Sequence, residues 1–224
     1  DGNFDDCQNM VKSSFGNQSF LPDGRQLVAV NSINWARIMA QIVYYFYAGL
    51  ALNAPHRQVS FSVPTGNFGD IFAGYLSKRM GLPIDQLVIA TNANDILHRC
   101  IADNDHSLQT LVQSLSPSMD IMVSSNFERM LFDLYDRDGH AINILMSNFK
   151  LDGKLTLSDS ALIKARELFS SYRLDDKAMT KVMSNFFKTT GYILDPHTAI
   201  GIDAARNVTK RGETPMVCLA TAHP

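Results

Sequence analysis

The chain has 224 residues, 46% of them hydrophobic and 19% charged, with a formal net charge of -2. That length suits one large domain or two small ones with a real buried core. The near-neutral balance gives no electrostatic case for nucleic acid or an anionic membrane. Cys7, Cys100 and Cys218 are far apart and form no C-x-x-C, which fits free thiols in a reducing compartment such as the cytoplasm. The histidines show no metal-ligand spacing.

In chain order, residues 1–6 read as a turn, and Asp5 or Asp6 is placed to cap a helix over 7–15. Residues 27–30 form a short apolar run that predicts a strand. The polar turn Asn31-Ser32-Ile33-Asn34-Trp35-Ala36-Arg37 follows and opens a helix to Leu52. Ser32 or Asn34 suits the N-cap. Arg37 falls in the first turn, where the helix dipole disfavours a cation, and an anion bound there would offset that cost. The apolar stretch 38–52 contains Gln41 and is shorter than the roughly 20 residues of a membrane span, so it predicts a buried helix.

Residues 59–63 predict a strand and 71–80 a helix. Between them lies Pro64-Thr65-Gly66-Asn67-Phe68-Gly69-Asp70. A loop of this kind can aim successive N–H groups at an anion, with the next helix N-terminus behind them, and Gly66 and Gly69 are free to take positive φ. An ordinary tight turn is the other reading, because a short Gly-x-x-Gly is weak evidence. Residues 87–91 predict the next strand and 94–100 a helix. The β-α-β-α order with short connections predicts an open, mostly parallel α/β sheet with helices on both faces.

Residues 101–114 are polar and read as loop, and 121–123 as a strand. Residues 126–136 and 140–149 read as helices broken at Gly139. Apolar stripes at 161–169 and 178–187 predict two more core-facing helices. Asp195-Pro196 starts another, running to about Lys210. A final strand is expected over 216–219, which places Thr221 at the ligand-facing end of the sheet. The start at Asp1 and the stop at Pro224, directly after a buried-strand pattern, lead to the expectation of a piece of a longer protein.

Six motifs in order carry a resemblance. They are Phe4-Asp5-Asp6-Cys7-Gln8, Asn31 to Arg37, Pro64 to Asp70, Ala90-Thr91-Asn92-Ala93-Asn94-Asp95, Leu194-Asp195-Pro196-His197-Thr198-Ala199 and Ala220-Thr221-Ala222-His223-Pro224. Together they resemble threonine synthase. The resemblance implies the tryptophan-synthase-β-like fold of fold-type II pyridoxal-phosphate enzymes, and conversion of O-phosphohomoserine and water to threonine and phosphate. It implies that Gly66, Asn67, Phe68, Gly69 and Asp70 hold the cofactor phosphate and that Thr221 sits by the pyridine nitrogen. Ser32, Asn34 and Arg37 would take the substrate phosphate, and Asn67 could serve either one.

The family's Schiff-base lysine lies in a Phe-Lys-Asp-type motif that this chain does not contain. Lys12, Lys78, Lys150, Lys154 and Lys164 stand in polar surroundings. The expectation is therefore the C-terminal half of such an enzyme, 1–224, mostly its large domain. The missing N-terminal half would be its partner, and the piece alone would be inactive. A threonine or serine dehydratase, or a non-catalytic sensor of a phosphorylated ligand, are the competing readings.

Overall fold

The computed structural model describes residues 2, 4–208 and 214–224. Its centre is a four-stranded, wholly parallel sheet in the order β5-β2-β1-β6, with β1 Val59–Pro64, β2 Ile84–Thr91, β5 Phe169–Arg173 and β6 Met216–Cys218. The predicted sheet type is what forms. A two-residue antiparallel pair, β3 His106–Ser107 and β4 Lys154–Leu155, stands apart from it.

Strand alternation builds two cores. Side chains at alternate positions point to opposite faces. Phe61, Val63, Leu87 and Ile89 therefore join one cluster, while Val88 and Ala90 join the other. The first cluster is covered by α2 Trp35–Ala51, α3 Gly69–Arg79, α4 Ile96–Asp103, α5 Phe127–Leu134, α6 Gly139–Asp152 and α7 Asp159–Leu168. The second is covered by α8 Asp176–Thr190 and α9 Pro196–Val208. The small residues of β1 decide how close α9 comes. The Ser62 hydroxyl donates to the Gly201 carbonyl at 2.6 Å, and a Cβ on Gly201 would meet the Pro64 ring at 3.3 Å.

Several expectations are corrected. Residues 27–30 form no strand: Val28 and Val30 stand in water with no neighbour to pair. Residues 121–123 are buried or half-buried irregular chain. Asp5 does not cap its helix, α1 Phe4–Gly16. It lies inside the first turn, and its Oδ2 accepts from the Met122 and Val123 N–H groups. Strand β5, at one edge of the sheet, has no counterpart among the expected elements. The expected end of α9 near Lys210 lies outside the described residues, as do Asp1 and Asn3 of the first turn. Residues 38–52 do form a helix, but only one face of it is buried. No helix among the described residues is long and apolar enough to cross a membrane.

Candidate active site

The C-terminal end of β1 runs into the Gly66 loop and then into α3. A cavity of about 620 Å³ opens there. Ser32, Arg37 and Gln41 line one side, residues 64–71 the floor, and Pro117 and Ser118 the far wall. Ligands of open parallel sheets bind at strand C-terminal ends of this kind.

The loop works differently from the sequence expectation. Neither glycine takes positive φ; Phe68 does, at 62°. A left-handed aromatic residue costs about 1–3 kcal/mol, and here ring packing holds it. Phe68 is buried against Phe127 and Phe169, with centroids at 5.2 and 5.7 Å. The glycines are needed for close approach. A Cβ on Gly66 would lie 2.6 Å from the Ser118 carbonyl oxygen, and one on Gly69 would lie 3.0 Å from the Ser32 Cβ. As N-cap of α3, Phe68 offers no side-chain acceptor to the first-turn N–H groups. Those donors, with the dipole behind them, suit an anion.

Asn67 is fixed from behind. Its Oδ1 accepts from the Ser125 N–H and hydroxyl at 3.4 and 3.3 Å, and its carbonyl accepts from the Asn126 N–H at 3.2 Å. The amide nitrogen remains to donate. Asp70 is the acid of the set. Burial pushes its carboxyl up to about 6, partly offset by the nearby Tyr45 hydroxyl. That hydroxyl donates to the Asp70 main-chain carbonyl at 2.9 Å, and Asp70 Oδ1 is buried without a partner. A carboxyl that neutralises this readily can share a site with an anion, where an ordinary aspartate would repel it.

Arg37 and Ser32 reach the cavity; Asn34 does not. Asn34 is the N-cap of α2. Its Oδ1 accepts from the Ala36 N–H at 3.0 Å and its Nδ2 donates to the Ala29 carbonyl at 2.8 Å, so the side chain is committed locally. Thr221 is exposed and also lies outside the cavity. Its N–H donates to the Thr198 hydroxyl at 3.1 Å. None of the five lysines considered lines the cavity, and all are exposed. Lys164 pairs with Asp136 at 2.8 Å.

Three supporting groups have roles that were not legible in the sequence, although two of them include residues of the quoted motifs. Arg129 donates through Nε to Asn126 Oδ1 at 3.1 Å and through Nη2 to the Ile33 carbonyl at 3.0 Å, and lies 5.5 Å above the Trp35 ring. It ties the Ser32–Arg37 turn to α5. Asn92, Asn94, Ser114, Ser116 and Asp120 form a polar network that fixes the 112–120 segment. Asn92 Nδ2 and Asn94 Nδ2 both donate to Asp120 Oδ1, at 2.7 and 2.8 Å.

The third group joins the far wall to the chain end. The Ser118 N–H donates to His197 Nε2 at 3.3 Å, and His197 Nδ1 lies 3.0 Å from Asp195 Oδ1. Because Nε2 accepts, Nδ1 carries the proton and donates to Asp195. Burial alone would raise the Asp195 pKa. Hydrogen bonds from Thr198, His197 and the Ala222 main chain outweigh it and hold the carboxyl below its usual range.

The fold is that of fold-type II pyridoxal-phosphate enzymes, cut to its sheet and covering helices. Within that class the likeness is to one family. The family model described as "Threonine synthase, C-terminal" matches residues 198–224. The chain is 60% identical to the threonine synthase of Pseudomonas aeruginosa over all 224 residues, which span 48% of that protein. Two solved structures also match over the whole chain. The threonine synthase from Brucella melitensis, described as bound to PLP, gives a TM-score of 0.92 at 53% identity, with 48% of its chain covered. The yeast threonine synthase gives 0.87 at 39% identity, with 47% covered. The chain resembles threonine synthase from end to end, and it spans about half the length of the relatives it matches.

Proposed function

We propose that this chain is the C-terminal portion, mostly large domain, of a cytoplasmic threonine synthase. The whole protein is a carbon–oxygen lyase that converts O-phosphohomoserine and water to threonine and phosphate, with pyridoxal phosphate as cofactor. Gly66, Asn67, Phe68, Gly69 and Asp70 hold the cofactor phosphate. The uncapped first turn of α3 and the glycine-lined approach to Ser118 fit such a group. When bound, the cofactor supplies an electron sink for carbanion chemistry. Arg37 and Ser32, facing that cradle across one cavity, take the substrate phosphate, and a guanidinium can do so with two parallel bonds. Asn34 serves by capping α2 and presenting Arg37. Thr221, whose N–H is held by the Thr198 hydroxyl, would serve the pyridine nitrogen. The Schiff-base lysine lies in the N-terminal half, outside this chain.

The observation that carries the reading is the joint lining of one cavity by Arg37, Ser32 and the α3 N-terminus. The test is phosphate release from O-phosphohomoserine by the intact protein beside the 224-residue chain. Turnover to threonine is expected in the intact protein alone. Arg37→Ala should raise KM for the phosphorylated substrate by about 10- to 100-fold, the value of one charge-assisted bidentate contact. If Arg37→Ala leaves that KM unchanged and serine is deaminated instead, the protein is a dehydratase.

A further inference from the structure

Helix α2 is apolar on two opposite faces, with Arg37 and Gln41 on one flank between them. Ile38, Tyr45 and Gly49 pack inward: the Tyr45 ring lies tilted against Phe61 with centroids at 4.7 Å, and a Cβ on Gly49 would meet Leu82 at 2.9 Å. The opposite face carries Met39, Val43, Tyr44, Tyr47 and Leu50, with Ala36, Ala40 and Ala51 between them, all exposed. At 3.6 residues per turn these eight positions fall within an arc of about 140°. The arc holds no charge, and its polar atoms are two tyrosine hydroxyls. Tyr47 is 77% exposed and Val43 62%. An exposed apolar face of this breadth belongs against a partner.

We infer that this outer face of α2 is the seat of the other half of the same polypeptide, the part that lies outside these 224 residues. The inference rests on the threonine synthase reading. Three observations select that occupant. Relatives that match the chain from end to end are twice as long, so a comparable mass remains to be packed against it. The face is continuous with the candidate site, since Arg37 and Gln41 on its flank line the cavity that the absent lysine has to reach. Its lack of charge disfavours an ionic or nucleic-acid partner and matches an interior seam.

Thiol accessibility in the intact protein tests this. Tyr47→Cys and, separately, Val43→Cys are made in a Cys7→Ser background, because Cys7 is exposed. Labelling by a maleimide is followed while light scattering reports the mass, and phosphate release is assayed on the same samples. With the face covered, both introduced thiols should react about 100-fold slower than in denaturant, as buried positions open only by local unfolding, and they should stay slow in the monomer. Native labelling at the denatured rate overturns the inference. So does protection that vanishes on dilution to monomer, which assigns the face to a second copy. Catalysis separates the two readings. Turnover with open thiols removes the α2 seam and keeps the enzyme. Protected thiols without turnover keep the seam and remove the enzyme.

Discussion

Asp70 carries the first residue-scale prediction. Its carboxyl titrates at 3.8 when unfolded and about 6 when folded. Between those values the folded state holds more protons, so Asp70 makes stability fall as pH rises through that window. His106 acts in the opposite sense. Burial between Phe127 and Phe149 pushes its pKa from 6.5 to about 4, so the unfolded state binds the extra proton and stability rises with pH over much the same range. In denaturant titrations from pH 4 to 7 the parent should therefore show a shallower pH dependence than a variant lacking either group. The profile should tilt further upward with pH in Asp70→Asn, which removes the group that opposes His106. The same variant isolates the anion effect. Sulfate, which does not titrate here, should bind the intact protein up to about tenfold more weakly per pH unit above 6. In Asp70→Asn its affinity should be independent of pH.

Gly66 gives a second, because the methyl of Gly66→Ala would have to displace a main-chain carbonyl 2.6 Å away. Overpacking of that kind costs about 1–3 kcal/mol. Calorimetry should show a Tm lower by several degrees, with weaker sulfate binding.

At the scale of elements, the sequence and the structure agree where periodicity and length were strong. β1, α3, α9 and the second half of β2 lie where apolar pattern and turn chemistry put them. β5 escaped because Phe169-Ser170-Ser171-Tyr172-Arg173 has no apolar run. Its place comes from pairing with β2, and sequence distance hides that. The run at 27–30 misled for the converse reason: it is apolar, yet no described strand pairs with it.

The candidate site was half legible. The Gly66 loop and Arg37 declared themselves by residue type at a helix start. Arg129, His197 and the Asn92–Asp120 network did not, since each acts through partners far along the chain. Those partners suggest a test at this scale. Asp120→Ala strips the acceptor shared by Asn92, Asn94 and Ser114 and leaves the two amides only their bonds to Ser114, Ser116 and Val112, at a cost of about 1–3 kcal/mol. Urea unfolding should register it. Arg129→Ala should loosen the 31–37 turn. KM for the phosphorylated substrate should then rise by less than in Arg37→Ala, with little change in stability.

For the whole molecule, the sheet joins segments that are remote in sequence. β1 and β2 are neighbours along the chain. β6 completes the sheet by pairing Ser60 with Met216, and the far wall of the cavity is pinned through His197 of α9. The consequence is temporal. Closing such long loops is the slow part of folding, so the pieces of the cavity meet after most helices have formed. Stopped-flow refolding of the intact protein should recover far-ultraviolet ellipticity first and ligand binding in a later phase. In the interval α2 presents its apolar face to the solvent, so aggregation should compete with folding at that step and grow with protein concentration. A chain whose anion pocket waits on a distant clasp through His197 is thus exposed longest at the surface it most needs to cover.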